Sequence, residues 1–129
     1  MSVQKRNAVF ASIPQGCKKH LFVVMTDPYG VPLLIILVNL CTYKAGKSYV
    51  DGTTILDVGA HPFITRTSYV DYEYARKIKV EVMERRVLEG YAEWREDVSE
   101  DVFNSILQGL LTSPRTPGEI KKIVRRLNI

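Results

Sequence analysis

The sequence predicts a small α+β protein, mostly β, in which an antiparallel sheet is followed by two C-terminal helices. From about residue 8 to about residue 95, short runs of β-branched and aromatic side chains alternate with turns that contain Pro and Gly, which is typical of strands. From about residue 98 the apolar side chains recur with the helical period. We expect a single domain over residues 1–129, because two separate cores would each be too small.

Two strong strands form the centre of the predicted sheet. Residues 20–26 are mainly β-branched and aromatic, and Asp27-Pro28-Tyr29-Gly30 supplies a turn after them. Residues 33–40 are apolar at nearly every position, which indicates a strand that is covered on both faces. We expect these two strands to pair as a hairpin.

Weaker signals predict the remaining strands. Residues 9–13 indicate a lead-in segment or a short first strand, and residues 53–58 indicate a further strand. Residues 69–82 are rich in Tyr and β-branched side chains and predict one or two more strands. A helix is the alternative there, because Ala75-Arg76-Lys77 is not strand-like.

The last third of the chain predicts two helices. The first, at about 98–112, has Asp97 or Ser99 as its N-cap and a wide apolar stripe that can pack on the sheet. The second, at about 117–128, has Thr116 as its N-cap and basic side chains on its outer face.

Neither a membrane anchor nor an export signal is predicted. The longest apolar run, residues 33–38, is far shorter than the roughly 20 residues that cross a bilayer. Lys5 and Arg6 are not followed by an apolar signal region. We therefore expect a cytoplasmic protein without membrane contact.

The common signatures of metal and nucleotide sites are missing from the sequence. It contains no C-x-x-C pair, no H-E-x-x-H, no G-x-S-x-G and no complete G-x-x-x-x-G-K-[ST] loop, because Cys41 stands where that loop would need its first Gly before Gly46-Lys47-Ser48. We therefore expect no metal and no cofactor.

Positive charge is concentrated in the first part of the chain, although the net charge is only +4. Up to residue 50, a single acidic side chain, Asp27, stands against Lys5, Arg6, Lys18, Lys19, Lys44 and Lys47. The charged side chains of residues 81–101 are mainly acidic, and those after residue 115 are mainly basic. A positive face attracts phosphates or an acidic protein partner. The alternative is that the lysines only keep the domain soluble.

Polar side chains stand where the two central strands begin and end. Lys18, Lys19 and His20 open the first strand, and Thr42, Tyr43 and Lys44 follow the second. In an antiparallel hairpin, the start of one strand lies beside the end of the other. We therefore expect the two groups to meet at one rim of the sheet.

This combination of side chains is suited to phosphodiester cleavage in RNA. When a 2′-hydroxyl attacks its own phosphate, one group removes its proton, a cation holds the developing charge and another group protonates the leaving oxygen. His20 can serve as the base or the acid, Lys19 supplies a cation, and the Thr42 hydroxyl can hold a phosphate oxygen. The alternative is a solvated strand start beside a strand-end hydroxyl that satisfies a backbone group.

His61 is the second histidine and precedes Pro62. It is predicted either to act as a second acid or base at the same rim or to anchor its loop through a backbone carbonyl. Cations bind phosphates, and aromatic rings stack on unpaired bases. On these grounds contacts to RNA are predicted at Lys18, Lys44, Arg66 and Tyr72, although strand tyrosines are also common as half-buried sheet residues. Ser68 is predicted as a further contact.

The order of these segments resembles the PemK/MazF family of bacterial toxin–antitoxin ribonucleases. Gly16 with residues 18–24 is similar to the family's opening strand, and residues 37–42 are similar to its second strand with the catalytic hydroxyl. Residues 68–78 resemble a later strand of the family, and residues 89–111 resemble the family's closing helix together with the segment that leads into it. The similarity covers about residues 16–111, and Lys19 and His20 stand where the family has an arginine.

The resemblance implies a small, strongly bent sheet or barrel of the PemK/MazF (CcdB-like) kind that cleaves single-stranded RNA without a metal. It also implies a homodimer and a protein antitoxin that occludes the groove. Two alternatives stay open. One is a barrel that has lost catalysis and binds a protein or nucleic acid, which the missing arginine favours. The other is a CcdB-like protein that acts on a topoisomerase.

Overall fold

The computed structural model describes residues 2–13, 18–46 and 50–129. In this part of the chain the fold is α+β and mostly β, as predicted, with one six-stranded antiparallel sheet and three helices. The strands are β1 (Ala8–Ala11), β2 (His20–Val24), β3 (Leu34–Thr42), β4 (Ile55–Leu56), β5 (Ser68–Lys79) and β6 (Ala92–Arg95). The helices are α1 (Val80–Leu88), α2 (Glu100–Thr112) and α3 (Gly118–Leu127). No helix among these residues has the length and the apolar character that crossing a bilayer requires.

The strand order of the sheet is β4-β5-β3-β2-β1-β6. The predicted hairpin is confirmed, because β2 and β3 pair with Leu21 opposite Leu40. Strand β1 lies between β2 and β6, and its Ala8 pairs with Val23 on one side and with Arg95 on the other. Segments from the two ends of the strand-forming region thus become neighbours.

The sheet bends sharply where β3 pairs with β5. Leu37 pairs with Arg76 and Asn39 pairs with Asp71, so residues 72–75 stand opposite a single residue of β3. Extra residues on one strand of a pair bend that strand and increase its twist. The sheet therefore curves into a half-barrel.

Both faces of the sheet are covered, because successive side chains of a strand point to opposite sides. The first face carries Leu21, Val23 and Val38, which pack with α2 and α3. The second face carries Phe22 and Leu37, which pack with α1. Strand β3 is buried on both sides, as its apolar sequence predicted.

Helix α1 corrects the prediction of a strand through residue 82. Val80 and Met83 are buried against the second face, and Val87 packs beside them. Apolar residues three and four positions apart are typical of a helix that lies on a surface. Val80 and Val82 imitate the alternation of a strand, which is why the sequence pattern favoured the wrong element.

Helices α2 and α3 begin and end within two residues of their predicted bounds. Ser99 caps α2, since its hydroxyl accepts a hydrogen bond from the Val102 amide at 3.2 Å. The prediction that Thr116 caps α3 is wrong: Pro117 occupies the N-cap position, and Thr116 is buried.

A buried carboxylate joins the loop before β4 to the end of α2. Asp51 accepts hydrogen bonds from the Thr53 amide at 3.0 Å and from the Ser113 hydroxyl at 2.7 Å. Burial acts to raise the pKa of Asp51, but these hydrogen bonds and the charge of Arg115 outweigh it and hold the pKa below its ordinary value. The ionised carboxylate therefore fixes the C-terminal end of α2 to the loop before β4.

Candidate functional site

A surface cavity of about 710 Å³ lies at the rim where several strands begin or end. The strand register explains its position, because Leu21 pairs with Leu40 and Thr42 pairs with Ser68. The start of β2, the end of β3 and the start of β5 therefore lie side by side. Residues 63–66 border the same cavity from the loop before β5.

Most of the predicted site residues border this cavity. They are Lys18, Lys19, His20, Thr42, Lys44, Arg66 and Ser68. They come from three separate stretches of the chain, and strand pairing brings the stretches together. His61 and Tyr72, the other two predicted residues, do not border it.

The described lining of the cavity is positively charged. Lys18, Lys19, Lys44 and Arg66 are all exposed, and no carboxylate occurs among the lining residues that the structure describes. Cations that converge without a nearby anion create a positive potential that attracts phosphate groups. The cavity is therefore suited to bind an anion.

Two hydroxyl groups stand beside these cations on the first face. Thr42 is exposed and pairs with Ser68 across the strands. Ser68 is buried, and its hydroxyl donates to the Arg66 carbonyl at 2.9 Å. Thr42 thus presents its hydroxyl to solvent, whereas Ser68 holds the backbone that carries Arg66.

The His20 ring points away from the Thr42 hydroxyl. Phe22, two residues further along β2, lies on the second face, and the two rings meet edge-on with centroids 6.5 Å apart. Thr42 follows Leu40 on the first face. The two predicted groups thus meet at one rim, where both residues border the cavity, but strand alternation places the imidazole and the hydroxyl on opposite faces.

His61 anchors a loop. Its side chain is 2% exposed. Its Nδ1 accepts a hydrogen bond from the Phe63 amide at 3.0 Å, so the ring proton is on Nε2, which donates to the Glu96 carbonyl. Both ring nitrogens are engaged, and we therefore assign His61 the anchoring role, which was the alternative in the sequence analysis.

Tyr72 is not a contact for a ligand at the rim, which corrects the prediction. It is fully buried on the first face beneath α2, and its hydroxyl donates to the Ile106 carbonyl at 2.8 Å and lies 2.7 Å from the Thr54 hydroxyl oxygen. Burial raises the pKa of Tyr72. This side chain stabilises the core.

Two aromatic residues at the cavity were not predicted from the sequence. Phe10 of β1 and Phe63 of the His61 loop border the cavity, with ring centroids 4.8 Å apart and planes inclined by 51°. The Lys19 ammonium lies 5.7 Å from the centre of the Phe10 ring, and the Arg95 guanidinium lies 4.6 Å from the centre of the Phe63 ring. The sequence around each residue does not indicate a site, because Phe10 lies in a weakly predicted strand and Phe63 lies in a loop.

The described residues offer this cavity cations, a hydroxyl and aromatic rings. In residues 2–13, 18–46 and 50–129, no three His, Cys, Asp or Glu side chains come close enough together to hold a metal ion. Comparisons with protein-family models, with curated proteins and with solved structures find no match to this chain.

Proposed function

We propose that the rim cavity binds single-stranded RNA through its phosphates. The observation that carries the proposal is the convergence of Lys18, Lys19, Lys44 and Arg66 on one cavity whose described lining lacks a carboxylate. The cavity volume of about 710 Å³ lies within the range of about 300–1,000 Å³ that is typical of ligand sites. The resemblance of the sequence to PemK/MazF ribonucleases supports RNA as the ligand.

A single strand suits this site better than a duplex. An A-form duplex keeps its bases stacked inside and presents phosphates and a shallow minor groove to a protein. An unpaired strand can place both a phosphate and a base inside a concave site. The cavity has cations for the former and apolar residues for the latter.

We expect binding of a short uridine oligomer to weaken steeply with salt. If four cations neutralise phosphates, the slope of log affinity against log salt is about −2.8, or roughly a 50-fold loss of affinity from about 50 to 200 mM salt. Fluorescence anisotropy at several salt concentrations measures this slope. A slope near zero, or no binding at low salt, would contradict the proposal.

A matched pair of triple variants tests whether the effect is local. The cavity variant replaces Lys18, Lys44 and Arg66 by Ala, and the control replaces Lys122, Arg125 and Arg126, three exposed cations of α3, by Ala. Both variants lose the same charge. We expect the cavity variant to reduce the slope to about −0.7 and the control to keep it near the wild-type value. Equal losses would mean that the charge of the whole protein, and not the cavity, binds the RNA.

Metal-independent cleavage of the bound RNA is the second candidate function. It is favoured by the position of His20, a half-buried side chain at the cavity border next to Lys19. Because the His20 ring stands on the second face, the RNA strand must cross the rim for a 2′-hydroxyl to reach it. The 2′-oxygen then bonds to phosphorus while the bond from phosphorus to the 5′-oxygen breaks. The imidazole takes the proton of the 2′-hydroxyl and gives it to the departing 5′-oxygen, and Lys19 stabilises the phosphate charge.

Cleavage and binding are separated by incubating the protein with a long RNA in the presence of a chelator. For the cleavage candidate we expect fragments that end in a cyclic phosphate, loss of cleavage in His20→Ala, and no cleavage of the same sequence in 2′-deoxy form. If the RNA stays intact while it still binds, the chain is a binding module. If the 2′-deoxy strand is cut as well, attack by the 2′-hydroxyl is excluded.

The partners implied by the resemblance remain predictions that belong to this proposal. A protein antitoxin that is rich in Asp and Glu would compete with RNA for the cations of the cavity. The homodimer is likewise a prediction from the resemblance alone.

A further inference from the structure

We propose that Phe10 and Phe63 form a shelf on which one unpaired nucleobase of the ligand stacks, so that the cavity recognises a base together with its phosphate. This inference rests on the proposed binding of single-stranded RNA and names the part of the ligand that the aromatic pair contacts.

The two rings stand above the floor of the cavity. Leu21, Leu40 and Ile64 are buried at its base, whereas Phe10 and Phe63 are only half-buried. The rings contact each other at 4.8 Å between centroids. An aromatic pair that is half-exposed at the border of a cation-lined cavity has the form of the stacking platforms that bind single-stranded nucleic acids.

Two cations lie over the shelf, one at each ring. Arg95 lies over the Phe63 ring and also forms an ion pair with Glu93 at 3.5 Å. Lys19 is exposed, and its ammonium lies 5.7 Å from the centre of the Phe10 ring. A base that stacks on Phe10 displaces this ammonium, which then reaches the adjacent phosphate.

The loop that carries Phe63 is fixed before any ligand binds. The Phe63 amide donates to the His61 ring, and the His61 ring donates to the Glu96 carbonyl. Phe10 is held in β1, opposite Leu21. Because both rings lie on backbone that is already ordered, stacking costs little conformational entropy.

The test compares two oligomers with the same phosphates. One is a short uridine oligomer with 2′-O-methyl groups, which prevent cleavage, and the other carries hydrogen in place of each base at the sugar C1′. We expect the wild-type protein to bind the base-containing oligomer about 5- to 150-fold more tightly, which is the range for stacking of one base on an aromatic ring. Fluorescence anisotropy at fixed salt gives both affinities.

Substitutions then assign the preference to the shelf. We expect Phe10→Leu and Phe63→Leu to lose most of the preference for bases and to keep the affinity for the base-free oligomer, which also shows that each variant is folded. Phe63→Tyr retains an aromatic face and should keep the preference.

Each result either supports the shelf or removes it. Equal, salt-dependent binding of both oligomers by the wild type overturns the shelf and leaves the phosphate site in place. A preference that survives both Leu variants also overturns it. Absence of binding to either oligomer removes the proposed function and the shelf together.

Discussion

Gly109→Ala should lower the free energy of unfolding by about 3 kcal/mol. A Cβ atom at Gly109 would stand 2.1 Å from the Thr54 hydroxyl oxygen and 2.1 Å from the Tyr72 hydroxyl oxygen. Those oxygens are buried and only 2.7 Å apart, and Tyr72 also donates to the Ile106 carbonyl. Ala gains about 1 kcal/mol over Gly in a helix, but the clash outweighs this gain because neither oxygen can move without losing a buried hydrogen bond.

Urea unfolding followed by circular dichroism measures the effect, and Gly118→Ala is the matched control. Gly118 begins α3 and has no atom within 4 Å of its ideal Cβ position. The control should stay within about 0.5 kcal/mol of the wild type. If both variants unfold at the same urea concentration, the close approach of α2 to β5 at Gly109 is not present in solution.

His61→Ala should also destabilise the protein, by about 3 kcal/mol. The substitution leaves the Phe63 amide and the Glu96 carbonyl without the ring that joins them. Both hydrogen bonds are part-buried, and a buried polar group left unsatisfied costs about 1–3 kcal/mol. The cavity left by the buried His61 ring adds to this cost. The loop that carries Phe63 and Arg66 then loses its connection to the segment after β6.

His20→Ala is the control for this prediction, since it removes the same ring from a half-buried position at the rim. We expect it to cost less than about 1 kcal/mol. Thermal unfolding of both variants at neutral pH makes the comparison. A loss of stability in His61→Ala that is no larger than in His20→Ala would show that the loop is not held by this ring.

The central elements of the fold were predictable because their signals are local. The apolar run of β3 was recognised from residues that are adjacent in the sequence, and Ser99 was one of the two candidates for the cap of α2. A helix was only the alternative to a strand over residues 69–82, and β6 was not predicted, for the opposite reason. Val80 and Met83 adopt a helix because the second face offers them a surface, and β6 is a strand because β1 offers it an edge.

In the site, too, the features set by local sequence were predictable and those set by tertiary contacts were not. The cations at the strand ends were predictable, because antiparallel pairing brings the start of β2 beside the end of β3. The direction of the His20 ring depends on which alternate residues of β2 point to each face of the sheet. The pattern of residues 20–26 did not resolve this. The contact between Phe10 and Phe63 depends on the bend of the sheet and on the conformation of the His61 loop. Neither feature can be predicted from a short stretch of sequence.

The insertion of β1 between β2 and β6 has a consequence for synthesis of the protein. Residues 8–11 are synthesised before the partner for their outer edge, residues 92–95, which is made only after α1. Until then β1 is an unpaired edge whose side chains are apolar, which is the kind of strand that recruits other chains. A polypeptide that terminates within α1 therefore has an uncapped sheet and is a substrate for chaperones or for aggregation.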